Sequence, residues 1–139
     1  MKETTMTIFD RPNFLRIVLG IDAASCAIMG LGLVADARAI AKITALSSTL
    51  MTVAGLVLLP VALFIAIVAA QRPIPAIGVW IVIAGNLAWG VASVALLLTG
   101  TIAPNVVGAL LVVGQAVAVL IITDLEYMGL RHQRRQALG

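Results

Sequence analysis

The sequence predicts an all-α protein: an integral membrane four-helix bundle with antiparallel neighbours and both termini cytoplasmic. Three observations carry this. The 139-residue chain is 62% hydrophobic and only 11% charged, with a mean hydropathy of +1.14, where a soluble domain averages about 45–50% apolar and about 25% charged. Four apolar runs, at residues 14–35, 50–70, 76–98 and 106–123, approach or exceed the about 20 residues that cross a hydrocarbon core. The runs are continuous rather than alternating, which excludes a transmembrane barrel. Helices are then the remaining way for a backbone to satisfy its own hydrogen bonds in lipid. The spans consume most of the chain, so residues 1–139 are expected to form one domain.

Taken in order, residues 1–13 form a short polar lead. Asp10 followed by Pro12 has the pattern of a helix N-cap with proline in the first turn. The first span follows. The Ala35-Asp36-Ala37 sequence behind it imitates a signal-peptide cleavage site, but the long charged lead and Asp22 inside the apolar run argue for retention of the span. Between spans one and two, Ile40, Ile43 and Leu46 recur at helical spacing beside Arg38 and Lys42. This predicts a short interfacial helix over residues 37–47. Span two contains Pro60, which should free the carbonyl of Leu56 and kink the helix. Gln71-Arg72-Pro73-Ile74-Pro75 breaks the chain before span three, and residues 99–104 break it before span four. Such short connections predict antiparallel neighbours. The tail from Arg131 onward is polar and expected to fray.

Charge placement sets the expected orientation. Lys2, Arg11, Arg16, Arg72, Arg131, Arg134 and Arg135 fall on one side of the spans, and only Arg38 and Lys42 on the other. The positive-inside rule places the first group in the cytoplasm. The same placement explains the +3 net charge without nucleic acid as a partner. The expected surroundings are a lipid bilayer.

The polar residues inside the spans are the functional candidates. Asp22, Ser25 and Cys26 share one face of span one, and Asn86, Trp89, Gly90 and Ser93 one face of span three. Gln115 lies in span four. At about 1.5 Å per residue, Asp22, Asn86 and Gln115 all fall near the midplane. A single buried cluster of Asp22, Ser25, Asn86, Trp89, Ser93 and Gln115 is therefore expected, with the two carboxamides complementing the acid. Polar side chains also join membrane helices as plain glue, at about 0.6 kcal/mol each. An acid at such depth is a functional position by default. At the cytoplasmic boundary, Arg16 is expected to form an interfacial ion pair with Asp124 or Glu126, or the acids to face water. Ala84, Ala88 and Ala92 form a small-residue stripe that permits a homodimer or another membrane partner, and Gly20 with Ala24 offers a similar face. Trp80 reads as an interfacial anchor.

The single cysteine and single histidine provide no disulfide, no paired haem ligands and no Cys/His metal spacing. No phosphate loop, HExxH or GxSxG pattern occurs. Catalytic residues, metal ligands and cofactors are therefore not expected.

The set Leu15-Arg16, Asp22-Ala23-Ala24-Ser25, Leu59-Pro60, Asn86-Leu87-Ala88-Trp89, Gln115-Ala116, Leu125-Glu126 and Gly129-Leu130-Arg131 resembles a family of small four-helix bacterial inner-membrane proteins of uncharacterised activity. That resemblance implies fold and location. In layout alone the chain is also similar to small multidrug-resistance transporters, which place an acid in helix one and an aromatic in helix three. Asp22 and Trp89 occupy those places here, with aspartate instead of glutamate. Two functions follow as expectations. One is a non-enzymatic bundle that binds a small or lipid-like ligand, or serves as an accessory subunit, through the polar cluster. The other is a proton-coupled small-molecule transporter with Asp22 as the proton carrier.

Overall fold

A computed structural model of the protein describes residues 13–138, with side chains described as far as residue 135. Asp10, Lys2 and Arg11 lie outside the described residues. Five helices follow one another: α1 (Phe14–Ala35), α2 (Ala37–Thr44), α3 (Ser48–Ala70), α4 (Ala76–Leu98) and α5 (Val106–Leu138). Four of them, α1, α3, α4 and α5, are long and apolar enough to cross a membrane. Their outer faces carry large exposed apolar side chains such as Ile28, Ile77, Leu98 and Val106, as expected of a surface solvated by acyl chains.

The helix ends follow local chemistry. Ser47 caps α3, its hydroxyl accepting from Leu50 N at 3.1 Å. Helix α3 then continues through Pro60 to Ala70. Asn105 performs two tasks at the start of α5. Its Oδ1 accepts from Gly108 N at 2.9 Å, and its Nδ2 donates to Ile43 O at 2.7 Å. Its backbone N–H donates to Thr44 O at 3.0 Å, so one residue caps α5 and holds the C-terminus of α2 against it. Gly108 is seated directly on Thr44 O and Pro104, where a Cβ has no room. Helix α2 ends in Ala45, which adopts a left-handed conformation at φ 59°. The predicted stripe of α2 is only partly buried: Leu46 is buried, but Ile43 remains 60% exposed.

The packing is organised as two helix pairs. α1 lies along α3 and α4 along α5, with α1 also meeting α5. Although α3 and α4 are joined by a tight turn, they touch only slightly, including Val68 beside Gly78. The expectation that every pair of successive spans would be close neighbours is thus corrected for α3 and α4. A short loop fixes where two helices begin, and side chains at the crossing decide whether they stay together.

The close approach of α1 and α3 uses Gly30 and Gly55. A Cβ on Gly55 would stand 2.7 Å from the Gly30 carbonyl oxygen, and one on Gly30 3.1 Å from the Gly55 carbonyl oxygen. The expected small face at Gly20 and Ala24 does not serve this purpose, since both are exposed and a Cβ on Gly20 would meet nothing within 4 Å. In lipid there is little hydrophobic drive to associate, so close van der Waals packing of this kind carries the pairing.

Two apolar cores lie toward opposite ends of the helices. One joins the start of α1 (Leu15, Leu19) to the end of α3 (Ile65, Val68), the start of α4 (Val79, Val82) and Leu130 of α5. The other joins Leu33, Ala37, Leu46, Met51, Leu58 and Val112 at the opposite end. Helix α5 does not stop at residue 123, nor does its tail fray from Arg131. It remains helical to Leu138, a length of about 50 Å against a hydrocarbon core of about 30 Å. Gly129 packs against Phe14 and Leu15, and Gln133 Nε2 donates to Ile74 O at 3.0 Å. These contacts extend the helix beyond its apolar run.

Candidate functional site

Between the two cores lies a buried polar triad. Asn86 Nδ2, on α4, donates to Asp22 Oδ2 on α1 at 2.8 Å and to Glu126 Oε1 on α5 at 3.1 Å. All three side chains are buried, Glu126 completely at 0% exposure. The two hydrogens of one carboxamide are thus divided between two carboxyl groups. Cys26, one turn beyond Asp22, adds a weak bond from its Sγ to Asp22 Oδ1 at 3.7 Å. The second Glu126 oxygen, Oε2, is buried without a hydrogen-bond donor. No lysine or arginine pairs with either acid among the described residues.

The expected interfacial ion pair is replaced by different contacts. Arg16 Nε donates to Ala69 O at 2.8 Å and its Nη2 to Gln71 O at 3.0 Å, so the guanidinium holds free carbonyls at the C-terminus of α3. A third, longer contact reaches Asn13 Oδ1 at 3.4 Å. Asp124 is exposed, and Glu126 points into the triad. The reason is helical phase. Val112, Ala116, Thr123, Glu126 and Leu130 are all buried, and with Val119 they form a 4-3-4-3-4 spacing along one face of α5. Glu126 continues that inner face, whereas Asp124 falls off it. A helical side chain also leans toward its own N-terminus, which carries the Glu126 carboxyl deeper into the bundle. The apolar run breaks at Asp124, and this break conceals the role of Glu126. The heptad phase through Thr123 to Leu130 is the signal that locates it.

Of the remaining candidates, Trp89, Ser93 and Gln115 form a second layer. Trp89 Nε1 donates to Gln115 Oε1 at 2.9 Å, and Gln115 Nε2 to Val112 O at 2.9 Å. Ser93 Oγ donates to the Trp89 carbonyl at 2.7 Å. Gln115 therefore partners the indole and not Asp22, and the single expected cluster is two. Asn86 and Trp89 are three residues apart on α4, so the layers lie about 4.5 Å apart along its axis.

Two cavities flank these layers. One of about 560 Å³ is bounded by all four long helices and includes Asp22, Cys26, Asn86 and Phe64 in its wall. The other, of about 750 Å³, is lined by Leu33, Met51, Ala54, Ser93 and Leu111 among others. Ser25, Met29, Trp89 and Gln115 border both. A cavity exists here because α3 and α4 are splayed and because no Cα of α1 comes within 8 Å of one on α4. Side chains alone bridge the gap. Among the described residues, no group of three or more His, Cys, Asp or Glu side chains could hold a metal ion.

No family model, no curated protein and no solved structure matches the chain.

Proposed function

We propose that this is a non-enzymatic protein of a bacterial inner membrane, with both termini cytoplasmic, that binds a small, mostly apolar, lipid-like molecule between its two helix pairs. One observation carries the reading. The cavity of about 750 Å³ has an almost wholly aliphatic wall, interrupted by Ser25, Ser93 and the Trp89–Gln115 pair. A site of this size suits a drug-sized or acyl-chain ligand. Trp89 and Gln115 satisfy each other, so the wall asks for few polar groups from an occupant. The excess of lysine and arginine on one side of the spans supports the orientation.

Native mass spectrometry of the protein, gently extracted from its own membrane, tests the reading. A retained small molecule that Trp89→Ala displaces would support it. A bare chain, or a protein complex unaffected by that substitution, would replace it with an accessory role.

A second reading, a proton-coupled transporter, is favoured by a different observation. The Asp22 carboxyl lies in the wall of the other cavity, linked through Asn86 to a second acid. On this reading Asp22→Asn abolishes pH-driven uptake into vesicles, while simple ligand retention survives it.

A further inference from the structure

Counting donors and acceptors in the triad gives a specific result. Two carboxylates present four oxygens. Asn86 supplies one N–H to Asp22 Oδ2 and one to Glu126 Oε1. Cys26 supplies a weak S–H to Asp22 Oδ1. Glu126 Oε2 is left with no donor in a side chain that is fully buried, while one nitrogen, Asn86 Nδ2, brings the Asp22 and Glu126 carboxyls together. The groups facing this point are Asp22 and Cys26 from α1, Asn86 from α4 and Glu126 from α5. From α3 the cavity wall presents only apolar side chains, including Leu58, Phe64 and Ile65. Among the described residues, no lysine or arginine contributes a countercharge. A metal cation fits poorly, because the amide nitrogen, a donor, occupies the place where a third oxygen ligand would be needed.

We propose that Asp22 and Glu126 hold one proton between them at Glu126 Oε2, making the triad a single proton-binding site whose Asp22 and Asn86 members border the cavity lined by Pro60 and Phe64. In the binding step a hydronium ion in the cavity gives its proton to the pair through the Asp22 carboxyl, which lines the cavity; the O–H bond that persists forms on Glu126 Oε2, and water is left in the cavity. The pair passes from two negative charges to one, and the new O–H donates to the Asp22 carboxyl. All four carboxyl oxygens of the triad then have a partner. This deepens the transporter reading by naming its proton site, but proton binding itself requires neither a ligand nor transport.

The test is infrared spectroscopy of the purified full chain in phosphatidylcholine vesicles, titrated without any added ligand. Two bands report. One is the carbonyl stretch of a protonated carboxylic acid, and the other is the S–H stretch of Cys26, the only thiol in the chain. A shared proton gives an acid band at neutral pH that is lost in Glu126→Gln and equally lost in Asp22→Asn, since each leaves a lone carboxylate with amide donors. In the unmodified protein, the acid band and the S–H band shift with one midpoint, because Cys26 reports the charge on Asp22. An acid band that persists in either variant places the proton on one acid alone and overturns the sharing. Absence of the band at neutral pH, or an S–H frequency that ignores loss of the acid band, overturns the site itself without needing any variant to fold. Failure of transport would appear separately, as a proton site that titrates normally in vesicles showing no pH-driven uptake.

Discussion

Asn86 Nδ2 stands 2.8 Å from Asp22 Oδ2, joining α1 to α4 where their backbones stay apart. The bond crosses a gap that packing does not close. Asn86 also holds Glu126, so it is the only direct side-chain donor from α4 to both acids. Removing it takes a donor from each acid and leaves Asp22 only the weak Cys26 contact.

Asn86→Ala is therefore expected to destabilise the bundle by about 2 kcal/mol or more, the cost of leaving buried charged groups unsatisfied. Asp22→Asn should cost less, because an amide still bonds Asn86 and one charge is gone. Reversible unfolding in mixed detergent–SDS micelles, followed by circular dichroism, measures both. In the double variant the two effects should fall short of additivity, as for residues of one network. Strict additivity would show that the triad is three separate side chains.

Gly55→Ala tests the crossing of α1 and α3. Its new methyl would stand 2.7 Å from the Gly30 carbonyl oxygen and 2.8 Å from a Val34 methyl. Neither helix can yield locally, so the helices must separate, at about 1–3 kcal/mol as for other overpacked contacts. Gly20→Ala is the matched control. It meets nothing within 4 Å and should gain up to about 1 kcal/mol from helix propensity. The same unfolding measurement ranks them, and equal effects would remove any special role for the Gly30–Gly55 contact.

Asn105→Ala removes the side-chain cap of α5 and the bond to Ile43 O together. A lost cap costs about 1 kcal/mol. The sharper expectation is local: amides of α2 should exchange hydrogen faster, while those in the middle of α3 stay protected. Hydrogen exchange read by mass spectrometry separates the two regions. Unchanged exchange in α2 would mean that its packing on α3 suffices to hold it.

Much of the fold was legible in the sequence because lipid imposes it. Runs such as Phe14–Ala35 and Ala76–Leu98 match the observed helices end to end, since apolar length alone decides a span. The site was legible in part, for a physical reason. Asp22 and Asn86 were recognisable as polar residues at mid-depth, a property of one helix at a time. That Gln115 answers Trp89 and not Asp22 depends on how α5 is rotated and translated against α4, which hydropathy does not encode. Glu126 was misplaced because a charged residue beyond an apolar run looks like a boundary. Its burial became visible only in phase with Thr123 and Leu130. Arg16 was assigned to an acid by charge, whereas the end of α3 offered carbonyls within its reach.

Trp89 is the residue on which the ligand reading can be decided most directly. It borders both cavities and gives its N–H to Gln115. Trp89→Phe keeps most of the wall but leaves Gln115 Oε1 without that donor, an expected loss of about 1 kcal/mol in stability. Trp89→Ala removes the wall itself and should abolish ligand retention. The chain has only one other tryptophan, Trp80, which is 42% exposed and stacks obliquely near Tyr127 with ring centroids 5.9 Å apart. In a Trp80→Phe background, Trp89 becomes the sole indole emitter. Titrating that variant with a lipid-like molecule recovered by mass spectrometry should shift its emission saturably, and Ser25→Leu, which narrows both cavities, should weaken the response. Saturable binding with no change in Trp89 emission would place the ligand elsewhere on the bundle.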